Sequence, residues 1–214
     1  MRDRSPAALP FGTIILAAGK SSRMGRPKLL LPWGRTSVVG HLIATWRELS
    51  ASQIAIVLDT SQLAVFQELD RLLFPVDARI SNPHPERGMF SSIRCAAAWP
   101  GWESGLTHFV IALGDQPQLQ PETLRRLLEF SATNRSSICQ PRFNGRSRHP
   151  ILLPKSALLR IRSDSASDMK EYLLEHAAEC ASFDSVDPGL ELDLDTPEDY
   201  RRMQEGYFRK EGPG

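Results

Sequence analysis

Short apolar runs alternate along much of the chain with segments in which apolar residues recur every three or four positions. The apolar runs are rich in β-branched residues and predict strands at residues 13–16, 54–58, 78–80 and 108–113. The helical spacing between them predicts helices at residues 37–49, 62–73, 91–99 and 121–130. Because the strand runs are apolar at successive positions, we expect strands that are buried on both faces, as in a parallel sheet.

The pattern changes after residue 137, where shorter extended pieces replace the long apolar runs. These predict strands at residues 137–140 and 149–153, followed by helices at residues 155–162 and 167–176. Strands that alternate with helices form right-handed βαβ units, so we predict an α/β fold with a Rossmann-like, mostly parallel sheet flanked by helices. The strands and helices after residue 137 are expected to form an addition that lies over this sheet. We predict a single domain over residues 1–214, with a core from about 12 to 205 and flexible ends, including the tail after Gly206.

Composition and charge limit the classes of partner. The chain has 26 Lys and Arg against 25 Asp and Glu, so its net charge of +1 attracts neither nucleic acid nor an anionic membrane. The three cysteines, Cys95, Cys139 and Cys180, lie far apart, which indicates neither a zinc site nor a disulfide framework. The basic start imitates a secretory signal, but Pro10 interrupts the apolar run that follows. We therefore expect a cytoplasmic protein without nucleic-acid or membrane partners.

The loop after the first predicted strand concentrates positive charge in a nearly neutral chain. It reads LAAGKSSRMGRPK over residues 16–28 and contains four cations: Lys20, Arg23, Arg26 and Lys28. Small residues precede them: Ala17, Ala18 and Gly19. They let the backbone approach a ligand closely, at the sheet edge where open α/β folds bind ligands. We expect this loop to hold a polyanion, although it matches neither the P-loop nor the dinucleotide-binding glycine motif.

Carboxylates follow at two places. Asp115 comes directly after the fourth strand, where it is suited to carry Mg²⁺ for a triphosphate or, alternatively, only to cap the turn before Pro117. Near the C-terminus, Asp193 and Asp195 precede a helix start with Thr196 as its predicted cap. Capping explains residues 196–199 but leaves the two aspartates unexplained.

Two further segments carry polar groups. Where the third strand runs into a helix, the free amides after Gly88 and the hydroxyls of Ser91 and Ser92 can hydrogen-bond a base or ribose, although serines there can also simply cap the helix. The run PRFNGRSRHP at residues 141–150 contains an Asn-Gly pair that reads as a hairpin turn.

These motifs, in this order, resemble the molybdenum cofactor nucleotidyltransferases, especially their cytidylyl branch. The loop at residues 16–28 is the most specific part of the resemblance, since it matches every fixed position of the family signature. The resemblance implies a fold of the nucleotide-diphospho-sugar transferase type. It also implies a Mg²⁺-dependent transfer of a nucleotidyl group from a nucleoside triphosphate to a phosphorylated acceptor, with release of pyrophosphate.

The resemblance also implies roles for particular residues. The expected nucleotide-binding residues are Leu16, Ala17, Ala18, Gly19, Arg23, Lys28, Gly88, Ser91 and Ser92. The expected catalytic residues are Arg23, Lys28 and Asp115. Asp115 and Asp195 are expected to hold Mg²⁺, with Asp193 pointing the other way if its segment is extended. Arg148 and His149 are expected to face the acceptor, and Arg148 replaces a family glycine, so it adds a cation there or alters the turn.

The substrates are less strongly specified than the family. CTP and a molybdopterin-type acceptor are favoured, whereas guanylyl transfer to the molybdenum cofactor and transfer to another phosphorylated metabolite stay open. A nucleotide-sugar glycosyltransferase is a more distant alternative, because its Asp-x-Asp motif normally ends a central strand, where this chain has Asp115. A non-catalytic nucleotide-binding regulator is the remaining one.

Overall fold

The computed structural model of the protein describes residues 9–19 and 24–208. Its strands are β1 Phe11–Leu16, β2 Pro32–Trp33, β3 Thr36–Ser37, β4 Gln53–Asp59, β5 Arg79–Asn82, β6 His108–Leu113, β7 Ile138–Phe143, β8 Arg146–Ser147, β9 Ile151–Pro154 and β10 Cys180–Asp184. Its α-helices are α1 Val38–Glu48, α2 Leu63–Arg71, α3 Met89–Ala98, α4 Pro121–Thr133, α5 Lys155–Ile161, α6 Met169–Glu175 and α7 Pro197–Phe208. The predicted α/β class is confirmed.

One mostly parallel sheet organises these elements, in the order β10-β7-β9-β6-β1-β4-β5, with β8 paired to β7. β1 runs parallel to both β4 and β6, and β4 runs parallel to β5. β9 is antiparallel to β6 and β7, while β10 is parallel to β7. The later strands β7, β9 and β10 therefore extend the same sheet and do not lie over it, whereas the later helices α5 and α6 pack on one of its faces, as expected.

Helices cover both faces of the sheet, because successive strand residues point to opposite sides. In β1, Phe11 and Ile15 pack into the core under α1, α2, α4 and α7, whereas Ile14 and Leu16 pack into the core under α3, α5 and α6. The Ile14 and Ile15 side chains are fully buried. The continuous apolar character of the strand runs thus reflects burial on both faces, as expected.

The direction in which strands are added reverses at β1. The chain passes from β1 to β4 and β5 on one side and then returns to β6 on the other. The loops after β1 and β6 therefore open side by side at the carboxyl edge of the sheet, the usual position of ligand sites in such folds. The Gly114 N–H donates to Leu16 O at 2.9 Å, and a Cβ on Gly114 would lie 2.8 Å from that oxygen. Glycine thus allows the approach that brings Asp115 beside the first loop.

The C-terminal part differs from the prediction in two places. β10 was not predicted, because its sequence lacks a clear apolar run. α7 continues to Phe208, so the tail expected to be flexible after Gly206 still contains helix: Tyr207 is 8% exposed and its ring centroid lies 5.5 Å from that of Trp33. None of the helices in the described part of the chain has the length and apolar character needed to cross a membrane.

Candidate active site

A lysine lies between two aspartates at the carboxyl edge of the sheet. Lys28 Nζ is 2.5 Å from Asp115 Oδ2 and 3.8 Å from Asp195 Oδ1. The three side chains are 13%, 22% and 34% exposed, so ligands can still reach the carboxylates. The fold therefore brings together three predicted site residues from distant parts of the sequence.

The segment of residues 187–195, which we call the strap, carries Asp195 to this position. Gln118 is 4% exposed, and its Nε2 donates to the backbone oxygens of Gly189 at 2.8 Å and Leu192 at 2.7 Å. The N–H of Leu194 donates to the backbone oxygen of Asp115 at 3.0 Å. These bonds fasten the strap along the segment that follows β6. Sequence reasoning missed the role of Gln118, since nothing local to it indicates a partner in the strap.

A buried carboxylate holds the start of the strap. Asp187 is 4% exposed and accepts hydrogen bonds from Gly189 N at 2.9 Å, Gln120 N at 3.0 Å and Thr123 Oγ1 at 2.9 Å. Gln120 precedes α4, so the negative charge lies at the positive end of that helix. Asp187 was also missed, although the proline that follows it is a signal for a turn at this position.

Asp193 faces the site, and the expectation that it points the other way is wrong. Its Oδ1 accepts a hydrogen bond from Gln116 Nε2 at 3.0 Å, and its side chain lines a cavity together with Asp115. Loss of hydration raises the pKa of Asp193, and the negative charge of Asp115 raises it further. Residues two apart in an extended segment share a face, so Asp193 and Asp195 lie on the same side of the strap.

The cavity beside Asp115, here called the inner cavity, has a volume of about 270 Å³. Six predicted site residues line it: Leu16, Ala18, Gly19, Gly88, Ser92 and Asp115. Among residues 9–19 and 24–208, no atom lies within 4 Å of a Cβ placed on Gly19, so this part of the chain leaves the backbone there open to a ligand. Ala17 differs from expectation, because it does not line the cavity. Its N–H donates to Val57 O at 2.8 Å and continues the β1–β4 pairing.

The wall formed by the start of α3 depends on Asn82 at the end of β5. Asn82 Nδ2 donates to Ser91 Oγ at 2.8 Å and to Ser92 Oγ at 2.9 Å. Ser91 Oγ donates in turn to Gly88 O at 2.7 Å, so Ser91 supports the loop and is not part of the cavity wall. Gly88 has φ of 83°, a conformation that other residues rarely adopt. Asn82 was missed as an orienting residue, although it directly precedes a proline in the sequence.

The hairpin from β7 to β8 carries Arg148 and His149 to a second cavity. Asn144 and Gly145 have φ of 50° and 75°, which confirms the predicted turn. The second cavity, here called the outer cavity, has a volume of about 460 Å³ and lies between this hairpin and α6. Arg148 and His149 both line it.

Arg148, expected either to alter the turn or to add a cation that faces the acceptor, forms an ion pair within the protein. Its Nη2 lies 2.6 Å from Glu191 Oε1, so a carboxylate of the strap balances its charge. Burial lowers the pKa of His149 to about 4, against the raising effects of Ile111 O and of the charge of Asp115. His149 is therefore neutral near pH 7.

The carboxylates that contact Lys28 already form a site for a cation. Their oxygens are the donors that Mg²⁺ prefers, and this ion usually takes one or two carboxylates together with water and phosphate oxygens. Within residues 9–19 and 24–208, no three histidine, cysteine, aspartate or glutamate side chains are grouped to hold a metal ion. The carboxylates of Asp115 and Asp195 offer two of the oxygen ligands that such an ion takes. Arg23, expected to hold the triphosphate, lies outside the described residues.

The chain is similar to known nucleotidyltransferases. The model of a family described as the MobA-like NTP transferase domain matches residues 13–180. The molybdenum cofactor cytidylyltransferase of Escherichia coli K12 is 28% identical over 211 residues, which cover 91% of this chain and 95% of that protein. Rv0371c of Mycobacterium tuberculosis H37Rv, solved in complex with manganese, has a TM-score of 0.65 and 26% identity over 92% of this chain and 98% of its own. CMP:2-keto-3-deoxy-manno-octonic acid synthetase, solved with CTP, shares the fold, with a TM-score of 0.71 at 12% identity over 94% of this chain and 99% of its own.

Proposed function

This chain belongs to the MobA-like NTP transferase family, and from that premise we propose that it transfers CMP from CTP to a phosphorylated acceptor of the molybdopterin type. It is a nucleotidyltransferase close to the molybdenum cofactor cytidylyltransferases. The nucleotide, the use of Mg²⁺, the acceptor and a cytoplasmic location are the finer assignments that we propose. The E. coli relative supports the nucleotide and the acceptor, and the manganese complex of Rv0371c supports the use of a divalent ion.

The observation that carries the proposal is the position of Lys28 between Asp115 and Asp195 at the edge of the inner cavity. Nucleotidyl transfer needs positive charge at the reacting phosphate and carboxylates that hold a divalent ion against the triphosphate. Lys28, Asp115 and Asp195 lie within a few ångströms of one another, which supports these roles. The inner cavity, next to them, has room for part of a nucleotide.

In the proposed reaction an oxygen of the acceptor phosphate attacks the α-phosphorus of CTP in line, and the bond from this phosphorus to the pyrophosphate oxygen breaks. Asp115 and Asp195 would hold Mg²⁺, which when bound neutralises charge on the phosphates. Lys28 supplies positive charge at the transferring group, and Arg23 holds the triphosphate. The acceptor phosphate is already ionised near neutral pH, so the neutral His149 is not needed as a base.

We propose that Ala18 favours CTP over GTP. Ala18 lines the inner cavity and is 6% exposed, so its methyl group takes space that a larger purine would need. Guanylyl members of the family that the sequence resembles tend to carry glycine at this position. Gly88, Met89 and Ser92 also line the inner cavity, and the Ser92 hydroxyl and the amides after Gly88 are suited to hydrogen-bond the base or ribose.

A thermal-shift screen with CTP, GTP, ATP and UTP in the presence of Mg²⁺ tests the nucleotide assignment, because a ligand of the folded state raises its melting temperature. We expect CTP to give the largest shift, and Ala18→Gly to move the preference toward GTP. A larger shift with GTP in the wild-type protein would contradict the assignment. Pyrophosphate release in the presence of an acceptor tests the reaction, whereas release of a nucleoside diphosphate would indicate a glycosyltransferase.

A further inference from the structure

The outer cavity has two unlike walls. The wall from α6 is apolar, and with neighbouring residues it presents Met169, Leu173, Leu174, Cys180 and Ile151. The residues that β7, β8 and the segment before β9 contribute are polar and include Gln140, Ser147 and His149. Leu174 is 67% exposed although it is a large apolar residue, so a ligand in the cavity can cover it.

The outer cavity is joined to the inner cavity through Met89. This residue opens α3, is 41% exposed and lines both cavities. A methionine side chain is flexible and adapts to what lies against it. A molecule in the outer cavity therefore lies one side chain away from the inner cavity that Asp115 lines.

Lys170 is a cation that lines the outer cavity and has no ion pair in the described part of the chain. Arg148 is paired with Glu191, as described above. Lys170 is exposed on α6, and within residues 9–19 and 24–208 no ion pair engages it. An unpaired ammonium group beside an apolar wall suits a ligand that has both an apolar body and an anionic group.

The apolar wall also disfavours one class of acceptor. A sugar ring carries several hydroxyl groups, and those placed against Leu173 and Leu174 would lose hydrogen bonds to water without finding protein partners. An aromatic or otherwise weakly hydrated ring gives up few hydrogen bonds to water there, and burying its apolar surface favours binding.

Building on the proposed function, we infer that the outer cavity binds the body of the acceptor and that Leu174 and Lys170 determine which acceptors bind. Leu174 packs against a ring body, and Lys170 binds an anionic group of the same molecule. The pair therefore selects ring-bearing phosphates over sugar phosphates. Arg148 contributes the shape of the wall, since its charge is already balanced by Glu191.

The test uses 1-naphthyl phosphate as a fluorescent probe of the full-length protein and glucose 1-phosphate as a competitor, since both carry one phosphate and differ in the body. We expect the probe to bind at least about tenfold more tightly than the sugar phosphate. Leu174→Gln and Lys170→Gln should each weaken probe binding about fivefold or more. The matched controls Leu159→Gln and Arg162→Gln, at exposed positions outside the cavity, should leave it unchanged.

Four results would overturn the inference. They are no binding of the probe, equal affinity for the two phosphates, unchanged binding in the Leu174 and Lys170 variants, and displacement of the probe by CTP, which would place it in the inner cavity. The thermal shift produced by CTP should stay unchanged in all four variants. If the expected binding pattern is found but no acceptor yields pyrophosphate, the proposed function fails while the assignment of the cavity stands.

Discussion

The strap depends on the buried carboxylate of Asp187, so replacing this side chain should lower the stability of the whole protein. Asp187→Ala removes the acceptor of three hydrogen bonds, from Gly189 N, Gln120 N and Thr123 Oγ1. A buried donor left without a partner costs about 1–3 kcal/mol, and water that enters the space recovers part of this. We therefore expect a loss of about 3–5 kcal/mol in the free energy of unfolding.

Asp187→Asn should lower the free energy of unfolding less than Asp187→Ala does, because the amide oxygen still accepts a hydrogen bond while the NH₂ group faces a donor. We expect a loss of about 1–2 kcal/mol. Urea unfolding followed by tryptophan fluorescence measures both changes, with an m-value equal to that of the wild-type protein. In a protein of this size the larger loss corresponds to a drop in melting temperature on the order of 10 °C.

Asp184→Ala is the matched control. Asp184 is exposed at the end of β10, and its carboxylate accepts from Arg142 Nε at 2.7 Å. A surface ion pair contributes little to stability, so this variant should lie close to the wild-type protein. A loss below about 1 kcal/mol for Asp187→Ala, or one no larger than that of Asp184→Ala, would refute the reasoning that the buried carboxylate fastens the strap.

Three other outcomes are expected. Asp195→Asn should bind CTP yet lose turnover on the order of 100-fold. Turnover is measured as pyrophosphate release over a range of Mg²⁺ concentrations. A larger loss in Asp193→Asn would assign the second metal carboxylate to Asp193. Lys28→Ala should lower turnover far more than CTP affinity, because its charge acts mainly on the transition state, and equal losses would contradict that role. The folded state disfavours protonation of His149, so its contribution to stability is present above pH 6.5 and is lost as the pH falls toward about 4. Between pH 7.5 and 5.0, His149→Gln should lose up to about 2 kcal/mol less in urea unfolding than the wild-type protein, whereas His84→Gln, at an exposed position, should lose as much as the wild-type protein. Burial also lowers the pKa of His41 and His108, so their share of the loss stays in both variants.

The sequence by itself determined the elements whose pattern is local. β6 coincides with its apolar run, and Pro121 marks the start of α4, because strand burial and helix starts depend on neighbouring residues. The cap of α7 was also local: Asp199 N donates to Thr196 Oγ1 at 3.1 Å, and Thr196 N donates back to Asp199 Oδ2 at 3.0 Å. The meeting of Lys28 with Asp115 followed from a general rule, since parallel strands gather their carboxyl ends on one edge.

Only the tertiary structure decided how the parts far apart in sequence pair. Gln118 and Asp187 fasten the strap through bonds across more than sixty positions, and neither residue carries a local sign of its partner. Glu191 likewise lies far from Arg148 in the sequence and balances its charge through an ion pair. A hydrogen bond or ion pair joins two side chains that the fold brings within about 3 Å. Short-range patterns reflect the role of a residue within its own helix or strand. These partners, in contrast, come together only when the sheet has formed and the strap lies along its edge.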